Sequence, residues 1–129
     1  MKFSFSTLSS GGFGIGTDIE DIKRFRKLNI RKDRNFLDKI YTDQEIKFCF
    51  SKKNFAQHLA VRFSAKEAVY KALFSLIHKP ITLKDIEISN SFGGVPTAAV
   101  KDIKFRGCHI LVSLAHCRDK ALAFALVWR

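Results

Sequence analysis

Asp18, Glu67 and Lys71 are the side chains in this sequence whose types and spacing best suit chemistry. Glu67 and Lys71 stand four apart in a long stretch free of proline and glycine, so a helix would set both on one stripe with Ala60, Phe63 and Phe74. A carboxylate on such a stripe loses hydration, and either its pKa rises or a cation compensates it. The plainer alternative is a solvated ion pair of small energetic weight. Asp18 follows Gly14-Ile15-Gly16 near the end of the apolar run from Gly12 to Ile19, which would project it from a strand end. Two oxygen ligands on separate elements, completed by water and substrate phosphates, are the usual way of holding Mg²⁺. The alternative is that Asp18 caps a helix starting at Glu20. Arg62 and Lys66 precede Glu67 on the same helix, where the plain reading is ordinary surface charge. His116 closes the run Ile110 to Ala115, where it would either offer a donor to a phosphate or serve the structure alone.

Other familiar chemistries lack their residues. In a G-x-G-x-x-G dinucleotide loop the third glycine would fall on Ile19, and the sequence has no P-loop, G-x-S-x-G elbow or H-E-x-x-H motif. Cys49, Cys108 and Cys117 are odd in number and have no C-x-x-C spacing, which argues against a disulfide framework or a cysteine-built zinc site and for a reducing cytoplasm. Met1 to Thr7 lacks the apolar run of a leader, and Ala121 to Trp128 is too short to span a bilayer.

The elements that must position these residues can be read from pattern. A length of 129 residues favours a single domain over residues 1–129, and 47% hydrophobic with 27% charged residues is an ordinary globular mix. Gly12 to Ile19 reads as a strand and Glu20 to Leu28 as a short amphipathic helix burying Ile22 and Phe25. Thr42-Asp43-Gln44-Glu45 is a capping box, which starts a helix running to about Ser51. A long helix follows from an N-cap at Asn54 to about Leu76. One face carries Val61, Ala65, Ala68, Val69, Ala72 and Leu76, and apolar stripes on both sides predict a central, largely buried helix. Beyond Pro80 the pattern turns to strands at Ile86 to Ser89, Val95 to Val100, His109 to Ala115 and Ala121 to Trp128, with Gly93-Gly94 as a hairpin turn. The fold class is α+β, an antiparallel sheet packed on a long central helix.

Taken together, Gly14-Ile15-Gly16-Thr17-Asp18-Ile19, Arg62-Phe63-Ser64-Ala65-Lys66-Glu67-Ala68 with Lys71, Asp85-Ile86-Glu87-Ile88 and Val112-Ser113-Leu114-Ala115-His116 resemble holo-acyl-carrier-protein synthase, the small trimeric type of 4′-phosphopantetheinyl transferase. The resemblance selects the functional readings of Asp18 and Glu67. It implies a 4′-phosphopantetheinyl transferase fold assembled as a homotrimer. The implied reaction moves the phosphopantetheine arm of coenzyme A to a serine of apo-acyl carrier protein in fatty acid biosynthesis and leaves adenosine 3′,5′-bisphosphate. By the same resemblance Asp18 and Glu67 hold Mg²⁺, Lys71 contacts the coenzyme's phosphates, and Glu67, directly or through a metal-bound water, takes the serine proton. Arg62, Lys66 and His116 are implied to bind the coenzyme and Arg24 to dock the carrier. The chain departs from the family's usual pattern where Phe74-Ser75-Leu76 replaces a Gly-Thr-Gly turn, where Gly94-Val95-Pro96 replaces Gly-Lys-Pro, and where Cys117 follows His116.

A net charge of +11 calls for an anionic partner, and an acidic carrier meets that need. The competing class is a small basic nucleic-acid module built on Lys23, Arg24, Arg26, Lys27, Arg31, Lys32 and Arg34. That cluster has only Phe25 within it, too little for a base-stacking platform, so neither nucleic acid nor membrane is the expected partner.

Overall fold

A computed structural model describes residues 12–129; Met1 to Thr7, read above for a leader, lie outside them. The elements are β1 (Phe13–Asp21), a 3-10 turn (Ile22–Phe25), α1 (Arg34–Ile40), α2 (Asp43–Phe50), α3 (Phe55–Ile77), β2 (Ile86–Asn90), β3 (Pro96–Val100), β4 (His109–His116) and β5 (Lys120–Trp128). The α+β architecture is as expected, with an antiparallel sheet in the order β1-β5-β4 laid across the long helix α3.

Three local expectations are corrected. β1 runs on to Asp21 because β5 pairs with it throughout, from Phe13 opposite Trp128 to Asp21 opposite Lys120. The helix expected from Glu20 therefore shrinks to the 3-10 turn, which still buries Ile22 and Phe25. The C-terminal strands do not form one sheet: β2 and β3 make a separate hairpin, because the chain between β3 and β4 is turned by a 3-10 segment (Ile103–Phe105) and by Gly107 at φ 85°. Helix α1 was not expected. It packs Leu37 and Ile40 inward, entered by a turn in which the Asn29 carboxamide oxygen accepts from the N–H groups of Arg31 and Lys32.

Other elements follow their signals. The capping box is formed in full, with Thr42 Oγ1 accepting from Glu45 N at 3.2 Å and Glu45 Oε1 accepting from Thr42 N at 2.8 Å. Gly93 and Gly94, at φ 88° and 80°, turn the β2–β3 hairpin in a region that side chains rarely adopt. α3 continues to Ile77 and ends on His78 in a left-handed conformation. One core cluster joins α3, the sheet and β2, and a second joins α1, α2 and the first turns of α3.

The sheet's two faces differ. Alternate residues of β1 and β5 point at α3, while Phe13, Ile15, Ile19, Leu111, Leu122 and Phe124 point outward and stay 40–59% exposed. No helix among the described residues is long and apolar enough to cross a membrane.

Candidate active site

The two glycines of the Gly14-Ile15-Gly16 run exist for a close backbone approach. A Cβ on Gly14 would lie 2.2 Å from the Ala72 carbonyl oxygen, and one on Gly16 would lie 2.1 Å from that of Ala68. β1 can touch α3 this closely only without side chains there. Ser64, fully buried on α3, donates to the Asp18 carbonyl at 2.8 Å and pins the strand one residue pair further on. Gly16→Ala is therefore expected to push β1 off the helix at a cost of about 1–3 kcal/mol. Thermal unfolding checks the cost, and an unchanged melting temperature would mean the approach is not needed.

That approach sets Asp18 beside the helix stripe carrying Glu67 and Lys71. Asp18 is in a paired strand opposite Ala123 and does not cap a helix. Lys71 donates to the Thr17 carbonyl at 2.9 Å and reaches Asp18 Oδ1 at 3.4 Å, so its ion pair crosses to the strand and does not run along the helix to Glu67. Asp18 Oδ2 is buried and has no hydrogen-bond partner. Burial first, and then the neighbouring Asp18 carboxylate, push the Glu67 carboxyl above its ordinary range, against a smaller opposing pull from Lys71. A shallow cavity of about 330 Å³ opens beside Ile15, Gly16, Thr17 and Lys71.

Sequence reasoning missed a third carboxylate. Glu20 shares the inward face of β1 with Asp18, two residues on, and its carboxyl is likewise raised, by burial first and then by Asp18. It accepts from Arg24 Nη1 at 3.1 Å. Period-two counting from Asp18 would have found it.

The remaining expected residues are placed elsewhere. Lys66 is corrected from a phosphate ligand to a core residue. It is fully buried, and its three N–H donors go to Glu45 Oε1 at 2.7 Å, the Leu83 carbonyl at 3.0 Å and the Ile86 carbonyl, leaving none for a phosphate. Arg62 is buried with its guanidinium 4.1 Å from the Phe48 ring, five residues before Glu67 and so about 140° around the helix. His116 sits against Gln57, 3.1 Å between side-chain nitrogens. Gln57 is ten residues before Glu67, about 15 Å along α3. His116 thus makes no contact with Asp18 or Glu67, although the register sets it in one row across the sheet with Ala121 and Glu20. Arg24 is exposed on the 3-10 turn.

The donor set fits a hard divalent cation. Two carboxylates on separate elements are close enough to repel one another, one oxygen lacks a hydrogen-bond partner, and among the described residues no three His, Cys, Asp or Glu side chains stand ready to enclose a metal alone. Mg²⁺, which keeps waters and takes phosphate oxygens, suits such an open site.

This chain has relatives of known name and fold. A family model described as the 4′-phosphopantetheinyl transferase superfamily matches residues 14–127. The holo-[acyl-carrier-protein] synthase of Chlamydia muridarum is 43% identical over 118 residues, covering 88% of this chain and 93% of that protein. Among solved structures, the Helicobacter pylori holo-[acyl-carrier-protein] synthase in complex with coenzyme A superposes with a TM-score of 0.74 at 31% identity, covering 88% of this chain and 98% of that one. The Bacillus anthracis holo-(acyl-carrier-protein) synthase, in complex with CoA (3′,5′-ADP), gives 0.73 at 28% identity over 89% and 95% of the two chains. The chain belongs to the holo-acyl-carrier-protein synthase family of 4′-phosphopantetheinyl transferases.

Proposed function

We propose that this chain, acting as one transferase domain in the cytoplasm, moves the 4′-phosphopantetheine arm of coenzyme A to a serine of apo-acyl carrier protein, in fatty acid biosynthesis. The observation that carries this reading is the glycine-permitted contact of β1 with α3, which sets Asp18, with its unpartnered oxygen, against Glu67 and Lys71. Asp18 and Glu67 would hold Mg²⁺, which when bound neutralises pyrophosphate charge and polarises the phosphorus under attack. Glu67, directly or through a water, accepts the proton of the serine hydroxyl as the serine oxygen bonds to phosphorus. The bridging P–O bond breaks, and the electron pair leaves on adenosine 3′,5′-bisphosphate. Lys71, half exposed beside the cavity, steadies that developing charge. Arg24 offers an exposed cation to the acidic carrier.

Mass spectrometry of apo-acyl carrier protein incubated with this chain, coenzyme A and Mg²⁺ tests the reaction. A gain of one phosphopantetheine group is expected, and an unchanged carrier mass overturns the assignment. Asp18→Asn should raise the Mg²⁺ concentration for half-maximal rate about tenfold or more, since even a residue that only supports a ligand is worth that much. An unshifted Mg²⁺ dependence would return Asp18 to a structural role.

The outward sheet face supports a homotrimer. Six large apolar residues on one face form a patch that isolated soluble subunits rarely leave open. Covering it in a closed ring would also let His116, which makes no contact with its own metal pair, reach the coenzyme at a neighbour's site. Light scattering is expected to return three times the 14.7 kDa chain mass. A fully active monomer would remove both the trimer and the shared role of His116.

A further inference from the structure

The ion pair between Glu20 and Arg24 joins two parts of the site that the reaction uses in sequence. Glu20 lies on the strand face that carries Asp18, its side chain 12% exposed, while the Arg24 side chain it holds is 59% exposed. One end of the pair thus faces the Asp18–Glu67 site and the other faces solvent, where an acidic carrier would arrive. Arg24 has a second anchor in the ring of Phe25, 5.7 Å away, so the guanidinium is held over the surface at the site's rim.

We propose that Glu20 and Arg24 form a latch that couples carrier docking to metal binding. With the latch closed, Arg24 cancels the charge of Glu20, and the carboxylates Asp18, Glu20 and Glu67 with the cations Lys71 and Arg24 sum to −1. When carboxylates of the carrier take Arg24, Glu20 loses its counterion and the same side of the site sums to −2, which draws a divalent cation more strongly. Glu20 then turns from the rim toward the metal pair. By linkage the metal must tighten carrier binding by the same factor. Glu20 is here a positioning residue, and the inference rests on the roles given above to Arg24 and to the Asp18–Glu67 pair.

The test reads Mn²⁺ binding to the full chain without coenzyme, by electron paramagnetic resonance of free Mn²⁺. Arg24→Gln, at an exposed position, should bind Mn²⁺ about fivefold or more tightly than the unaltered chain, within the usual range of coupling. Glu20→Gln should bind more weakly, and adding Arg24→Gln to it should change nothing. Apo-acyl carrier protein should tighten Mn²⁺ binding by the unaltered chain about as much as Arg24→Gln does, and fail to do so for Glu20→Gln. That carrier arm on the unaltered chain stands even if a variant misfolds. An Arg24→Gln effect that persists in the Glu20→Gln background overturns the latch, as does a carrier that binds without moving Mn²⁺ affinity. Mn²⁺ affinity unaltered in Asp18→Asn would instead overturn the metal pair, and a carrier that does not bind would overturn the docking role, each taking the latch with it.

Discussion

Glu67→Gln is expected to lower phosphopantetheine transfer by about 10²–10⁴-fold, the range for loss of a general base, before any further loss from weaker metal binding. The amide has nearly the shape of the carboxylate, so packing against β1 survives, but it neither accepts a proton at useful pH nor brings negative charge to a cation. The stability consequence has the opposite sign. In the metal-free protein the Glu67 carboxyl is raised, by burial first and then by Asp18, so its ionised form is the disfavoured one. A group with a raised folded pKa contributes most below its unfolded value and loses that contribution as pH rises through its folded value. Near neutrality the metal-free variant should therefore melt at or above the temperature of the unaltered chain, with the gap closing as pH falls through the carboxylate range. Turnover and melting curves on one preparation check both halves. Undiminished turnover removes Glu67 from the mechanism, and a large fall in melting temperature shows that the carboxylate was structural.

Which parts of this site can be read in the sequence depends on how local their causes are. The capping box and the long helix are set by residues within a few positions of one another, and both form where the pattern puts them. The length of β1 is decided elsewhere. Nothing near Glu20 and Asp21 signals a strand, and only pairing with Lys120 and Ala121, about a hundred residues away, extends it. The same extension turns Glu20 inward and makes it part of the site. Gly14 and Gly16 match only the first two glycines of a dinucleotide loop, and their cause is the backbone of Ala68 and Ala72 across the interface. Residue types and order were enough to gather Asp18, Glu67 and Lys71, because each is fixed by its own element and the two elements meet. They could not separate Lys66 from Glu67, adjacent in sequence, one in the core and the other at the site. That separation is set by which side of α3 faces α2 and β2.

Lys66→Met is the sharpest test of it. The ammonium of Lys66 answers a fully desolvated Glu45, whose two oxygens also accept from Thr42 N and from Ile88 N at 2.8 Å each. Burial pulls the Lys66 pKa down, and Glu45, pulling it back up, is the charge that holds the proton there. Removing the cation strands a buried carboxylate and takes the Lys66 donor from the Ile86 carbonyl and from that of Leu83, which keeps the Ile86 N–H. Breaking such a pair from one side costs about 3–5 kcal/mol, which for a domain of this size lowers the melting temperature by on the order of 10 °C. Adding Glu45→Gln should recover part of the loss, about 1 kcal/mol, because the stranded charge is gone and the amide oxygen still serves the capping box, although the amide NH₂ no longer accepts from Ile88 N. Arg62, one turn earlier, is held 4.1 Å from the Phe48 ring and forms no ion pair with Glu45, so it does not stand in for the lost cation. The opposite pattern, a melting temperature unchanged by Lys66→Met with weaker coenzyme A binding, would return Lys66 to the coenzyme and would mean that the buried pair is not what joins α2 to α3.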